Sequence, residues 1–431
     1  MNNNFVFPNT DFKTAKNLDR LDELARYRQE FFQDDPDLIY LDGNSLGRLP
    51  FRTLTLINQT IENEWGSQLI RSWNRGWIEL PRRLGGKISS LVGAHPDEVL
   101  VSESTSTNLF KLTLAALSER PGRKRIISDV LNFPSDLYIL QGIIKLLNQG
   151  HELVLIPSRD GITIKTEDLF AEIDANTALV CLTHVAFKSA FMFDMATISQ
   201  KAHENGALVL WDLSHSVGAV PIELNKCEAD LAVGCTYKYL NGGPGAPAFL
   251  FVRRDLQSRF LQPVWGWFAS KTPFDFELDF TPAPDLARFQ VSSPPILSMK
   301  AIEPALDILL EAGIERLYKK SQQASEYLIY LADQWLVPLG FELGSPRNVE
   351  LRGSHISLRH PESFRIARAM IEATPPAVKV IPDFRVPDNI RLGITPIYTS
   401  FVDIYRGVDR MRAIVEQRTY EQYSNERMTV T

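Results

Sequence analysis

Residues 207–245 read ALVLWDLSHSVGAVPIELNKCEADLAVGCTYKYLNGGPG, and this stretch decides the fold. It contains two short runs of small, aliphatic and β-branched residues, at 207–211 and 229–234, each bounded by turn-forming residues. Such runs are typical of buried strands in a parallel sheet. Asp212 follows the first run directly, and Lys238 comes soon after the second. Because ligands of open α/β sheets bind beyond the carboxyl ends of the strands, we expect both side chains at a ligand site.

Asp212 and Lys238 are the pair of residues that a pyridoxal 5'-phosphate (PLP) site requires. The lysine holds the aldehyde of PLP as a Schiff base, and the aspartate keeps the ring nitrogen protonated, so that the ring accepts electrons. Either residue alone is more often something simpler, because an aspartate after a strand commonly caps the next helix and a loop lysine is commonly a solvated charge. Together, and with His215 and Tyr237 nearby, they favour PLP.

The stretch resembles the cofactor site of kynureninases, which belong to class V of the fold-type I PLP enzymes. The resemblance extends in order along most of the chain and is carried by YLDGNSLGRLP at 40–50, FPSD at 133–136, DLSHSVG at 212–218, TYKYLNGGPG at 236–245, WGWF at 265–268, SSPPIL at 292–297 and NIRLGITPIYTSFVDIY at 389–405. The DxxH motif followed by YKYLN is specific, whereas GNSLG and SPPI are supportive.

The length and the pattern of apolar runs predict an α/β protein of two domains. A chain of 431 residues exceeds what one hydrophobic core usually carries. Apolar runs alternate with helical patterns over 153–211, as expected of a mostly parallel sheet covered on both faces. With the resemblance, this predicts the fold of the fold-type I PLP-dependent transferases, with a seven-stranded sheet. Its predicted parts are a large PLP-binding α/β domain at 51–312 and a small α+β domain formed by 1–50 and 313–431.

The resemblance implies roles for residues around the cofactor. Thr105 and Ser106 open a predicted helix and would bind the PLP phosphate, since free N–H groups and hydroxyls at a helix N-terminus form an anion site. Phe133 would stack on the pyridine ring, and Asp136 would approach the ring from the side. The further cofactor-binding residues of this interpretation are Thr183, at the same sheet edge as Asp212, and Asp212, His215, Tyr237 and Lys238 themselves.

Two further cofactor contacts are expected from a second subunit. The resemblance implies a homodimer in which Trp267 and Ser293 reach the phosphate of the neighbouring subunit. Many relatives carry Asn or Thr at the position of Ser293, and a serine has a shorter reach.

Four residues are expected to bind the substrate. The resemblance assigns the substrate α-carboxylate to Arg391, which suits that role through bidentate geometry. Asn44 and Ser45 would lie in a loop at the mouth of the active site. Trp65 is a candidate for the aryl end of the substrate pocket.

The activity that the resemblance implies is hydrolysis of the Cβ–Cγ bond of L-kynurenine. The products would be anthranilate and L-alanine, or 3-hydroxyanthranilate from 3-hydroxy-L-kynurenine, in tryptophan catabolism and NAD biosynthesis. Lys238 would take the Cα proton, Asp212 would stabilise the protonated ring nitrogen, and Tyr237 would bind the phosphate or pass a proton. The preference between the two substrates stays open, because a ring hydroxyl is worth only ~1–3 kcal/mol.

Other functions compete with this interpretation. A class V aminotransferase would use the same aspartate and lysine, so these residues leave it open. A cysteine desulfurase or selenocysteine lyase needs a nucleophilic cysteine near the C-terminal domain, and no cysteine follows Cys235. A cofactor-binding protein with little activity would be favoured by loss of Lys238 or Arg391, and both are present. A nucleotide-binding oxidoreductase would need a GxGxxG motif after a strand, and none is convincing.

Composition predicts a protein of the cytoplasm without metal. Hydrophobic residues make up 44% and charged residues 23%, which is ordinary for a soluble globular protein. The net charge of -6 gives no reason to expect nucleic acid or an anionic membrane surface as a partner. The three cysteines lack CxxC spacing, which fits a reducing compartment and argues against structural zinc. No apolar run approaches the ~20 residues of a membrane span, and the N-terminus has no secretory signal pattern.

Overall fold

The structure, a computed structural model, describes residues 5–373 and 377–426. The helices are α1 Phe12–Leu21, α2 Phe51–Gln59, α3 Leu80–Val92, α4 Thr105–Ser118, α5 Pro134–Leu147, α6 Thr166–Glu172, α7 Met195–Glu204, α8 Arg254–Gln257, α9 Ile296–Ala312, α10 Ile314–Trp335, α11 Ser363–Ile371 and α12 Phe401–Glu416. The strands are β1 Leu38–Tyr40, β2 Val99–Val101, β3 Arg125–Asp129, β4 Glu152–Ile156, β5 Thr177–Thr183, β6 Leu208–Asp212, β7 Leu231–Gly234, β8 Phe249–Val252, β9 Glu342–Leu343, β10 His355–Arg359, β11 Lys379–Ile381, β12 Asp383–Arg385 and β13 Asn389–Gly393.

A seven-stranded sheet forms the centre of the large part of the molecule. Its strand order is β2-β8-β7-β6-β5-β3-β4. The neighbours from β4 through β3, β5 and β6 to β7 are parallel, and β8 runs antiparallel to both β7 and β2. Every residue of β5, β6, β7 and β8 is buried, because helices cover both faces of the sheet. The predicted mostly parallel seven-stranded sheet is therefore confirmed.

A smaller four-stranded antiparallel sheet has the order β12-β13-β10-β9, and β1 pairs in parallel with β11. One hydrophobic core joins both chain ends, because Ile39 packs with Ile356 and Ile404. Other N-terminal residues, Tyr27 and Phe31, belong instead to the core of the large sheet. The division of the chain at 51 and 313 stays a prediction. No helix of the described residues is long and apolar enough to cross a membrane.

Leucines at helical spacing predict one amphipathic helix over residues 14–32. The structure differs from this prediction. Instead, α1 ends at Leu21, and a separate 3-10 helix spans Ala25–Glu30. The helix stops because Asp22 turns into extended backbone, where its carboxylate pairs with Lys320 Nζ at 2.6 Å in a buried ion pair. This turn directs the following segment toward the large core.

The contact between α3 and β2 gives a test of this packing. A Cβ at Gly85 would lie 2.0 Å from the Val99 carbonyl oxygen, whereas a Cβ at Gly86 would meet nothing closer than 3.8 Å. We predict that Gly85→Ala destabilises the protein by at least about 2 kcal/mol, because the helix must move off the strand. Gly86→Ala in the same helix is the matched control and should be neutral or stabilising by up to about 1 kcal/mol. Thermal unfolding of both variants checks this, and equal melting temperatures would contradict the packing.

Candidate active site

The carboxyl ends of β5 and β6 place the first two predicted residues side by side. Thr183 and Asp212 are the last residues of these strands and are partners in the parallel register. The His184 backbone N–H donates to the Asp212 carbonyl oxygen at 2.8 Å, which ties the two strand ends together. The Asp212 carboxylate accepts a hydrogen bond from the Ser214 backbone N–H at 2.8 Å and is buried.

Lys238 meets His215 at this edge. Its Nζ lies 2.9 Å from His215 Nε2. Burial, followed by the positive charges of Lys238 and Arg391, lowers the pKa of His215 well below its usual value, so the imidazole is neutral. The neutral ring accepts a hydrogen bond from Lys238 through Nε2, and its Nδ1 has no partner among the described residues. The predicted proximity of these two residues is thus present.

Aromatic rings stand beside the lysine. Lys238 Nζ lies 5.8 Å from the centre of the Phe133 ring and 5.9 Å from that of Tyr237. The Phe133 ring packs edge-on against Phe187 at 5.2 Å and keeps an exposed face. A flat ring joined to Lys238 can therefore lie against Phe133. Burial, with smaller contributions from Cys235 and Asp212, raises the pKa of Tyr237, so its phenol keeps the proton.

A pair of buried carboxyl groups tests whether PLP fits. Asp136 lies in the first turn of α5, is 2% exposed, and its Oδ2 has no partner in the described structure. Burial and the adjacent carboxylate of Asp212 raise the pKa of Asp136 well above its usual value, because two neighbouring carboxylates cannot both ionise cheaply. A protonated pyridine nitrogen supplies the missing donor and the compensating positive charge. The pair therefore fits the ring of PLP.

The N-terminus of α4 provides the anion end of the same site. Thr105 and Ser106 are its first residues, and the Ser106 hydroxyl lies 3.0 Å from the Ser135 hydroxyl at the start of α5. A cavity of about 610 Å³ borders this helix start. Its polar and glycine lining includes Ser102, Ser104, Thr107, Tyr237, Gly245, Gln290, Ser292 and Ser293. Hydroxyls and free backbone N–H groups at a helix N-terminus suit a phosphate.

Arg391 is completely buried, and the loop at 42–47 surrounds its guanidinium. Its Nη2 donates to Ser45 Oγ at 2.8 Å and pairs with Asp383 Oδ2 at 2.5 Å, and its Nη1 donates to the Phe187 carbonyl at 2.5 Å. With its amide oxygen turned toward the guanidinium, Asn44 accepts from Nε at 2.8 Å. Asn44, Ser45 and Arg391 are thus brought together, and the protein's own acceptors occupy most of the guanidinium.

Gly47 and Gly393 allow three loops of the site to pack closely against one another. The Gly47 N–H donates to the Tyr237 carbonyl at 2.8 Å, and a Cβ at Gly47 would lie 2.4 Å from the Lys238 carbonyl oxygen. A Cβ at Gly393 would lie 1.8 Å from the Asn44 amide. The motifs GNSLG, YKYLN and RLG therefore form one packed unit.

Three predicted residues are exposed at the surface. Trp65 lies in a π-helical segment, Thr60–Gln68, and is 56% exposed. Trp267 is 40% exposed and packs on Phe268 and Phe276, with ring centres 4.4 and 6.2 Å away. Ser293 is exposed at the rim of the cavity beside α4. Their roles toward substrate and cofactor remain predictions.

Sequence reasoning did not identify four residues of this region: the buried Asp129, His355 and Asp383, and the partly buried Asp42. Asp42 and Asp383 flank Arg391, and burial, with repulsion from Asp383, raises the pKa of Asp42 to about 6. His355 lies on β10, with its ring centre 5.6 Å from that of His215. In the sequence, these residues are recognisable only as polar residues within apolar strands or directly before a glycine loop. Such positions are too common to identify site residues.

Comparisons with known proteins identify the family of this chain. The family model "Aminotransferase class-V" matches residues 39–335, and "Kynureninase C-terminal domain" matches residues 317–411. The chain is 41% identical over 410 residues to the kynureninase of Pseudomonas fluorescens, covering 94% of this chain and 95% of that protein. It is 42% identical over 408 residues to the kynureninase of Burkholderia mallei strain SAVP1, again covering 94% and 95%.

Solved structures share the fold at low sequence identity. A cysteine desulfurase from Thermococcus onnurineus NA1 aligns with a TM-score of 0.77 and 18% identity over 91% of this chain and 98% of that one. The Escherichia coli cysteine desulfurase CsdA aligns with a TM-score of 0.74 and 15% identity over 93% and 99%. A C-DES variant with glycine linked to its PLP cofactor aligns with a TM-score of 0.72 and 17% identity over 88% and 95%.

The fold, the Lys238 site and the match over 39–335 define a class V, fold-type I PLP-dependent enzyme. Within that class, the identity over nearly the whole chain and the matching C-terminal domain are decisive. The chain belongs to the kynureninase family.

Asp129, the last residue of β3 before the loop that carries Phe133, makes the stability of the protein depend on pH. Asp129 is fully buried, its Oδ1 accepts from the Leu131 N–H at 2.7 Å, and its Oδ2 has no partner in the described structure. Burial raises the pKa of Asp129 to about 7. The folded state thus binds this proton more tightly than the unfolded state, and the resulting stability is lost as the pH rises from about 4 through about 7.

Asp129→Asn keeps the turn and cannot ionise. We predict that the stability of this variant relative to native protein increases between pH 4 and pH 8, by on the order of 4 kcal/mol. Thermal unfolding at both pH values measures the difference, and Asp37→Asn at an exposed position is the control. A difference that does not depend on pH would contradict the assignment.

Proposed function

We propose that this protein hydrolyses the Cβ–Cγ bond of L-kynurenine, and that of 3-hydroxy-L-kynurenine, releasing L-alanine and anthranilate or 3-hydroxyanthranilate. Its cofactor is PLP, and Lys238 is proposed as the residue that binds it covalently. The observation that carries the proposal is the cluster of Lys238 with three buried residues, His215, Asp212 and Asp136, together with the buried guanidinium of Arg391. Membership of the kynureninase family selects this reaction among those of class V.

The chain's own residues supply binding, orientation and proton transfer. When bound, PLP supplies an electron sink for negative charge that develops on the substrate carbons. Asp212 and Asp136 would hold the protonated ring nitrogen, and Phe133 would cover one face of the ring. The Lys238 amine, held by neutral His215, is positioned to accept the Cα proton. The protonated phenol of Tyr237 is positioned to donate a proton or to bind phosphate.

The cysteines argue against the chemistry of the desulfurases that share the fold. Cys181, Cys227 and Cys235 are the three cysteines of the chain, and all three are free thiols. Burial raises the pKa of each, so none is a ready thiolate nucleophile. Free buried thiols also support our proposal that the protein works in the reducing cytoplasm.

We further propose a homodimer with shared sites. The surface around Trp267 exposes several large apolar side chains, among them Trp265, Phe274, Phe276 and Leu278. An apolar patch of this kind on a monomer commonly marks an interface. A second subunit covering it would also explain why Trp267 is exposed in a single chain.

The covalent role of Lys238 predicts a large loss of activity on substitution. We expect purified, PLP-loaded protein to release fluorescent anthranilate from L-kynurenine, and Lys238→Ala to be at least about a thousand-fold slower, because both the covalent attachment and the base are gone. Lys226→Ala, which removes an exposed lysine of the same segment, is the matched control and should retain full activity. A PLP absorbance band without anthranilate would overturn the reaction and favour an aminotransferase.

The shared site predicts complementation between two inactive variants. In a heterodimer of Lys238→Ala and Trp267→Ala subunits, one site would combine native Lys238 with native Trp267 if Trp267 acts in the partner's site. We predict that a one-to-one mixture under conditions of subunit exchange recovers up to about a quarter of native activity, because about half of the dimers are heterodimers and each of these has one native site of two. If Trp267 serves its own chain's site, no native site forms and the mixture stays as slow as its components.

A further inference from the structure

The guanidinium of Arg391 has few donors left for a substrate. An arginine carries five N–H bonds, one on Nε and two on each Nη. With the Asn44 amide oxygen turned toward the guanidinium, Nε and one N–H of Nη2 are directed at Asn44, the other N–H of Nη2 at Ser45, and one N–H of Nη1 at the Phe187 carbonyl. Asp383 adds an ion pair to Nη2 at 2.5 Å. A single N–H on Nη1 has no acceptor among the described residues. The bidentate grip on a carboxylate that the sequence suggests therefore needs a second donor from another residue.

His355 is an unsatisfied donor on the same face of the same sheet. It pairs with Gly393 in the register that also pairs Ser357 with Arg391, and residues paired in this way project to one face of an antiparallel sheet. The side chain is 0% exposed, and both ring nitrogens lack a hydrogen-bond partner within the described structure. A buried polar group without a partner is costly, so a ligand that supplies an acceptor is favoured here.

The surroundings of His355 include His215, which contacts Lys238, and Arg391. Its ring centre lies 5.6 Å from that of His215, which holds Lys238. The backbone groups of Lys188 and Phe187 also lie beside the ring, but neither has hydrogen-bond geometry to a ring nitrogen, and the Phe187 carbonyl accepts from Arg391 instead. Burial, with the positive charges of Arg391 and Lys238, lowers the pKa of His355 well below its usual value, so the ring is a neutral donor.

We propose that His355 is a further substrate-binding residue, which donates to the α-carboxylate the second hydrogen bond that Arg391 cannot supply. The amino group and the carboxylate of the substrate share one carbon, so a substrate held by Lys238 and Arg391 would bring its carboxylate to the neighbourhood of both. His355 lies in that neighbourhood, since its ring is close to that of His215 and its pKa is lowered by the charges of both residues. The inference rests on the proposed function, since it takes an α-amino acid as the ligand. In this proposal, both donors to the substrate carboxylate come from the small sheet, His355 from β10 and Arg391 from β13.

The test compares His355→Phe, which removes the donor, with His355→Gln, which keeps an N–H. For PLP-loaded His355→Phe we expect a KM for L-kynurenine raised by about ten-fold or more, with kcat changed by less than about three-fold. The dissociation constant for L-alanine, read from the absorbance change of the bound cofactor, should rise by a similar factor. His355→Gln should recover most of both losses. With the decarboxylated analogue of L-kynurenine, which has no acceptor at this position, the difference in binding between the variants should largely vanish.

Controls separate this role from a structural one. Ile356→Val alters the same strand on its other face and should leave KM unchanged, and melting temperature and PLP content verify folding of every variant. If His355→Phe does not fold, His355→Leu takes its place. An unchanged KM and L-alanine affinity, or equal losses of binding for L-kynurenine and its decarboxylated analogue, would overturn the proposal. Failure of the native protein to release anthranilate would instead defeat the proposed function, while L-alanine binding still reports on His355.

Discussion

The hydrogen bond from Lys238 to a neutral His215 depends on the register of the parallel strands, and the rest of the site depends on that bond. Because β5, β6 and β7 end at one edge, Asp212 and the segment leading to Lys238 meet without any long-range adjustment. Burial keeps His215 neutral, and the same burial makes the Asp136–Asp212 pair unfavourable unless a cation lies against it. The two buried carboxyl groups therefore favour binding of a positively charged ring.

The smaller sheet completes the site from the other side. Arg391 comes from β13, and its guanidinium is fixed by a loop from the N-terminal segment and by Phe187 from the large part of the chain. Glycine at 47 and 393 permits this three-way contact, because any Cβ would strike backbone or amide atoms. The substrate end of the site is therefore built at a junction of distant segments, whereas the cofactor end is built along one sheet edge.

That difference explains what the sequence could predict. The strands around Asp212, the helix beginning at Thr105 and the meeting of Lys238 with His215 follow from local apolar patterns and short spacings, and the structure contains them. Most N–H groups of Arg391 are hydrogen-bonded to the protein, whereas both ring nitrogens of His355 have no partner among the described residues. Both facts arise from tertiary packing between distant segments, which no local pattern encodes. The end of α1 at Leu21 was mispredicted for the same reason, since a buried ion pair with a distant lysine turns the chain there.

The fold alone would not have chosen the reaction, since its structural neighbours include cysteine desulfurases that share under one fifth of its residues. The central claim is the covalent role of Lys238, and borohydride reduction of the PLP-loaded protein followed by peptide mass spectrometry tests it most directly. We predict one stable pyridoxyl label per chain, on the peptide that contains Lys238. A label on another lysine, such as the buried Lys111, or a loaded protein that borohydride leaves unlabelled, would contradict the account.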